Sequence, residues 1–199
     1  MIDRDLQKHA REFKGYLDNN QYDISDEGIF FPKANALAIG EYSVRSPGYA
    51  DEVVTNLIPH QGMNYILMTA LKQGPAQPNF YTALYSGNYT PTNALTAANF
   101  AATATEIASS TEGYSEPTRQ LWTPADAAAG VMDSYANESV FTIATASSLT
   151  IRGMALLSSN VKGGVSGVLI SAALLPNARI QYNGDLFKTG YRVRLQPPQ

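Results

Sequence analysis

IQYNGDLFKTGYRVRL, residues 180–195, is the segment of this chain that most clearly indicates a fold class. In its second half Tyr191, Val193 and Leu195 are apolar, and the two residues between them are arginines. This alternation is typical of a β-strand with one buried face. The Asn-Gly pair at 183–184 is a strong short-range hairpin signal. The segment therefore predicts two strands joined by a tight turn.

Further strands are predicted upstream, each rich in β-forming residues and bounded by Gly, Pro, Asn or Ser: residues 80–86, 139–145, 149–157 and 165–173. In 139–145, Phe141 and Ile143 share one face. Short strands at this spacing favour a sandwich or jelly roll. The predicted fold class is therefore mainly β, with a β-sandwich or jelly-roll-like body, one packed helix, and an extended N-terminal arm that contains a short helix.

The packed helix is predicted to begin with Pro59 at its first position and to end before Gly74 and Pro75. Its apolar residues recur at the helical period: Met63, Ile66, Leu67, Ala70 and Leu71. This one-faced stripe predicts a helix that packs on the core. Residues 96–104 fit either a helix capped by Thr96 or a loop.

Charge is concentrated at the start of the chain. Residues 1–55 contain ten acidic and six basic residues, out of 17 and 14 in the whole chain. This shift predicts an N-terminal arm over 1–54 and a β-sandwich body over 55–199. Residues 3–18 predict a short amphipathic helix, because its apolar residues fall at helical spacing: Leu6, Ala10, Phe13 and Leu17.

The arm is unusually aromatic for a linker. Its large aromatic residues are therefore predicted to contact either the body of the same chain or a neighbour: Phe13, Tyr16, Tyr22, Phe30, Phe31 and Tyr42. Two basic residues of the last strand, Arg192 and Arg194, complete this candidate interface. After Thr145 the chain holds six basic residues and one acid, so the acidic arm of one copy could lie on the basic sheet of another. The alternative is a solvated charged edge that protects the terminal strand.

Several classes of chemistry are excluded or unsupported by composition. The chain of 199 residues has no cysteine and two histidines, which excludes thiolate metal sites, disulfides and cysteine nucleophiles. No dinucleotide or phosphate-loop motif is present, and the nucleophile-elbow pattern around Ser166 fails at Val168. We therefore expect no cofactor, no metal site and no enzymatic activity. A carboxylate pair of the glycosidase kind has no spacing rule and stays open.

Partners are also limited by composition. A net charge of -3 argues against direct nucleic-acid binding. No run of about 18 apolar residues is present, so no membrane span or membrane partner is expected. Trp122 and a group of mid-chain tyrosines predict either a subunit contact, a sugar-stacking platform, or ordinary core packing: Tyr81, Tyr85, Tyr89, Tyr114 and Tyr135.

An ordered series of short motifs resembles the small β-sandwich structural proteins of tailed-bacteriophage virions. The series consists of NLI (56–58), GMNYIL (62–67), FYTALY (80–85), TRQLW (118–122), SVFTI (139–143), GMALL (153–157) and NGDL (183–186). Among these structural proteins, the role that the series resembles most closely is that of a capsid decoration (cement) protein. The resemblance implies a homo-oligomer, a dimer or trimer, that binds the major capsid protein. It also implies assembly in the host bacterial cytoplasm and a place on the capsid exterior. A tail or fibre component with a receptor- or carbohydrate-binding sandwich is the alternative.

Overall fold

The computed structural model describes residues 22–24, 30–32 and 37–196. The helix predicted over 3–18 lies outside these residues. In chain order the elements are β1 (Tyr22–Ile24), β2 (Phe30–Pro32), β3 (Leu37–Arg45), β4 (Glu52–Thr55), α1 (His60–Lys72), β5 (Tyr81–Tyr85), α2 (Ala97–Ala104), β6 (Gly113–Tyr114), β7 (Gln120–Leu121), β8 (Val131–Asp133), β9 (Ser139–Ala144), β10 (Leu149–Leu157), β11 (Leu169–Gln181) and β12 (Leu186–Gln196).

The chain divides into two units. One contains β1 and β2, which form a two-stranded antiparallel sheet with Tyr22 opposite Pro32. The other, the body, spans Ala38–Leu195. The body therefore begins earlier than the predicted boundary after residue 54. The reason is that β3 and β4, assigned to the arm by their charge, pair as adjacent strands of a body sheet.

Two antiparallel sheets form the body. Sheet I has the strand order β11-β10-β5-β7, and sheet II has the order β4-β3-β12-β9-β6, with β8 also paired to β12. The core between the sheets is built from alternate residues of facing strands, such as Tyr42, Leu84, Phe141, Met154 and Phe187. The protein is thus mainly β, a β-sandwich, as the strand pattern predicted.

Sheet I is covered on both faces. Behind it, α2 packs a second apolar cluster in which Phe100 meets Tyr85 edge-on, with ring centroids 6.1 Å apart. Asn99 caps this helix, since its Oδ1 accepts a hydrogen bond from the Thr96 N–H at 2.8 Å. The double cover explains why residues 153–157 of β10 are buried without alternation.

The predicted turn at 183–184 forms, but the hairpin does not. The Asp185 N–H donates to the Tyr182 carbonyl at 3.0 Å, and φ is 87° at Gly184 but not positive at Asn183. Only the second central residue is left-handed, as in a type II turn, and this type splays its flanking strands. Accordingly, β11 pairs with β10 in sheet I, whereas β12 pairs with β9 in sheet II.

Candidate interaction surface

Helix α1 approaches sheet I through its first turn. Gly62 is the buried residue of this helix. A β-carbon at Gly62 would lie 2.4 Å from the carbonyl oxygen of Ile170 on β11. The absence of a side chain therefore lets the helix backbone lie directly against the strand.

Gln61 bonds α1 to two other elements. Its Oε1 accepts hydrogen bonds from the N–H groups of Ala97 and Leu169, both at 2.9 Å. Ala97 begins α2 and Leu169 begins β11, so one amide oxygen joins three elements. The bond to Ala97 also satisfies one of the N–H groups that a helix N-terminus leaves without an intrahelical partner.

Tyr65 holds the same side of α1 one turn further on. Its hydroxyl accepts a hydrogen bond from the Gln77 N–H at 2.8 Å. Its ring meets Phe80 edge-on with centroids 5.7 Å apart, and Phe80 in turn meets Trp122 at 6.4 Å. The orientation of the helix is thus fixed from one side.

The other side of α1 is apolar and exposed. Leu71 is 79% exposed, Leu67 55%, Met68 47% and Met63 38%, and Ala70 is exposed as well. At about 100° per residue these five side chains fall within an arc of roughly 160°, which also contains the exposed polar side chains of His60 and Asn64. We call these five residues the α1 face. Isolated exposed apolar residues are ordinary on protein surfaces, but a contiguous patch marks an interaction site.

The prediction that this stripe packs on the core is wrong. Of the five residues in the predicted stripe, only Ile66 is half-buried; the other four belong to the α1 face. The helix instead turns Gln61, Gly62 and Tyr65 towards the sheet. Hydrophobic periodicity does not identify this second side, because its contacts are made by a glycine, an amide and a hydroxyl.

Helix α1 carries one formal charge, and it is positive. The helix contains no acidic residue, and Lys72 lies in its last turn. A partner helix with acidic residues beside Lys72 would therefore meet a favourable charge here.

The predicted interface residues fall into three groups. Phe13 and Tyr16 lie outside the described residues. Tyr22 lies on β1, and Phe30 and Phe31 lie on β2. The third group, Tyr42, Arg192 and Arg194, lies in the body.

Tyr42 is not available to a neighbour, which corrects its assignment to the interface. Its exposed fraction is 0%, its hydroxyl lies 2.7 Å from the Ser171 Oγ, and its ring centroid is 4.8 Å from that of Tyr191. Burial raises the pKa of the Tyr42 hydroxyl well above its ordinary value, so the group stays neutral.

Arg192 and Arg194 form their ion pairs within the body. Arg194 donates to Glu41 at 2.7 Å, and Arg192 donates to Asp133 at 3.3 Å while a second nitrogen lies 3.8 Å from Glu41. Glu41 belongs to β3. The complementarity of acidic head and basic tail is therefore met here inside one chain.

Three of the mid-chain aromatic residues, Tyr85, Tyr114 and Trp122, belong to core packing. Tyr85 and Tyr114 are fully buried. Trp122 donates from Nε1 to the Tyr191 carbonyl at 3.2 Å and packs edge-on against the Tyr191 ring. Of the readings left open by the sequence, core packing is the correct one for these three residues.

Two clefts lie around the loop between β3 and β4. A cleft of about 470 Å³ runs between this loop and the start of β12, lined by Arg45, Asp51, Asp185 and Lys188 among others. A neighbouring cleft of about 370 Å³ lies beside Tyr49 and Arg179. The exposed ring that lines the second cleft is Tyr49. The charges of the two clefts are mixed, because Arg45 pairs with Asp51 at 3.2 Å and Arg179 with Glu52 at 3.3 Å.

Within residues 22–24, 30–32 and 37–196, no three His, Asp or Glu side chains are grouped as a metal site would require. The helices in this part of the chain are too short and too polar to cross a membrane. Neither a protein-family model nor a curated protein matches the chain.

Proposed function

We propose that this chain is a structural protein of a tailed-phage virion that binds the outside of the capsid shell and stabilises it, in the manner of a decoration protein. The observation that carries the proposal is the α1 face. The body already has two apolar clusters packed around sheet I, yet it leaves five neighbouring apolar side chains of one helix in solvent. Such a surface serves binding to other protein.

Repeated binding sites on a capsid shell would strengthen the binding of the α1 face. Burial of a leucine or methionine side chain contributes about 1.5–3 kcal/mol. A strip of a few such side chains gives only modest affinity at one site, since association itself is costly. On a shell with many equivalent positions, copies that also contact each other gain from effective concentration. The virion assignment is supported by the motif series, and the major capsid protein is the expected shell partner.

A tail or fibre module that binds a receptor or carbohydrate is the second candidate. The cleft beside Tyr49 favours it, because it combines one exposed tyrosine ring with charged side chains and the Asn177 amide. An aromatic ring beside convergent polar groups suits a polar ligand with one apolar face.

Immunogold electron microscopy on phage particles from the source lysate tests the first proposal. We expect label spread over the head. Label confined to the tail or its tip would overturn decoration and favour the second candidate, which a glycan array with Tyr49→Ala as the comparison would then test. Particles without label, despite protein in the lysate, would contradict both.

A further inference from the structure

The α1 face is large enough for a helix and too small for a broad subunit contact. A helix of 13 residues is about 20 Å long and about 10 Å wide, so its face covers on the order of 200 Å². A stable interface between two globular subunits needs about 800 Å² from each partner. Within residues 38–195 the face is exposed.

The N-terminal segment of the chain has the dimensions of such an occupant. Residues 3–18 carry apolar side chains at helical spacing, with Leu6, Ala10, Phe13 and Leu17 on one side. As a helix this segment would be about 24 Å long. Its stripe repeats every three to four residues, as does the α1 face, and two such rows of side chains can interlock.

Charge favours the antiparallel orientation by a small margin. That arrangement brings Lys72, at the end of α1, beside residues 3–5, which carry two acids and one base. It also brings Asp18 beside the first turn of α1, where the unpaired N–H groups of a helix favour an anion. A parallel arrangement would instead place Lys72 near both Lys14 and Asp18, whose charges cancel.

We propose that the α1 face of one copy binds residues 3–18 of a second copy, packed as an antiparallel helix. This inference deepens the proposed function by giving the α1 face to contacts between copies, so that the shell contact falls to other surfaces of the assembly, and it rests on that function only for the location of the assembly. Because Tyr22 lies opposite Pro32 in the β1–β2 pair, the connection that can extend is residues 19–21 and 33–36, which together with the width of the pair span at most about 30 Å, so the neighbouring body lies directly beside the first. The contact is head-to-tail, so it closes into a ring or continues along a lattice.

Molar mass in solution is the first test. The full chain should sediment as an oligomer, whereas Leu71→Glu and Phe13→Glu should each reduce it to a monomer. Val161→Glu places the same charge on a side chain that is 56% exposed elsewhere on the body and should leave the mass unchanged. Lys8→Glu, on the opposite side of the predicted segment helix, should likewise leave the mass unchanged. A full chain that is monomeric at every concentration overturns the proposal.

A mixing experiment identifies the contact. The Leu71→Glu chain retains an intact segment, and the Phe13→Glu chain retains an intact face. Equal amounts of the two monomeric variants should form a heterodimer through one segment–face contact. If Phe13→Glu still assembles like the full chain, the face binds something other than this segment. If both variants are monomeric and do not combine, the segment-to-face pairing is wrong.

Cross-linking tests the orientation, and the absence of cysteine from the chain gives a clean background. An Ala70→Cys chain mixed with a Leu6→Cys chain should form a disulfide under mild oxidation, and a mixture with Leu17→Cys should not. The reverse result would overturn the antiparallel arrangement. These measurements use purified protein, so their outcome does not depend on the immunogold result. A monomeric protein that labels the phage head would refute only this inference. An oligomeric protein that does not label the head would refute only the decoration role.

Discussion

Arg119 and Glu106 form a bidentate ion pair that is almost completely removed from solvent. The Arg119 Nε and Nη2 donate to the two Glu106 carboxylate oxygens at 2.7 Å each, and the side chains are 0% and 1% exposed. The guanidinium also donates to the carbonyls of Ser159 and Gly164. This pair fastens the loop after β10 to the segment between α2 and β7.

Removal of one partner of this pair should be costly. Glu106→Gln leaves a buried guanidinium without its counter-charge, and we expect a loss of about 3–5 kcal/mol in the free energy of unfolding. Urea denaturation followed by Trp122 fluorescence measures it. The exposed pair of Arg45 and Asp51 is the matched control, for which Asp51→Asn should cost less than about 1 kcal/mol. Equal losses for the two substitutions would contradict a special role of the buried pair.

Gly62→Ala should destabilise the body although alanine is the better helix former. Helix propensity alone favours alanine by about 1 kcal/mol. The new β-carbon, however, would meet the Ile170 carbonyl at 2.4 Å, and overpacking of this kind costs about 1–3 kcal/mol. Thermal unfolding should therefore show a lower Tm, and a raised Tm would mean that α1 does not lie against β11. Ala70→Gly, at an exposed position of the same helix, should lower the free energy of unfolding only by the difference in helix propensity, about 1 kcal/mol.

The strand pattern of the body could be predicted from the sequence, and the pairing could not. Phe141 and Ile143 share the buried face of β9 as alternation implied, and β10 has the predicted bounds. Alternation reports which face is buried but not which strand is the neighbour. For this reason the Asn183-Gly184 turn was correctly located, while the strands on either side of it belong to different sheets.

The charge shift misplaced the start of the body, since charged residues can belong to a sheet when their partners lie far along the chain. Glu41 pairs with Arg192 and Arg194, more than 150 residues later. Glu52 similarly meets Arg179. A count of charges along the sequence does not show which charges pair in the fold. The high charge of residues 1–55 therefore wrongly indicated that β3 and β4 belong to the arm. The α1 face was missed for a related reason: periodicity identifies an apolar side but not whether anything covers it.

Glu112 should make the fold sensitive to acid. Its carboxylate accepts hydrogen bonds from the Thr145 hydroxyl at 2.6 Å and from the Ala146 N–H at 3.0 Å. The Thr145 bond, followed by the Ala146 bond, lowers the pKa of Glu112 below its ordinary value. A lowered folded-state pKa contributes stability above the unfolded-state pKa, and this contribution is lost as the pH falls through the folded-state pKa.

Glu112→Gln should therefore lower Tm at neutral pH and reduce the further fall of Tm on acidification. Thermal unfolding between about pH 7 and pH 3 measures both effects. Asp126→Asn, at an exposed position, serves as the comparison and should keep the Tm profile of the parent chain. A Glu112→Gln profile that runs parallel to the parent at every pH would show that the carboxylate has no linkage to folding.

Substitution of Gly184 should reveal a purely conformational cost. The residue has a φ of 87°, and a β-carbon there would meet nothing within 4 Å. Alanine should therefore lower the free energy of unfolding by about 1 kcal/mol through backbone strain, without any clash. Asparagine should cost less than alanine because it tolerates positive φ, and valine should cost more because β-branching does not. Chemical denaturation of the three variants gives the order, and equal losses for all three would mean that the turn relaxes to a conformation with negative φ.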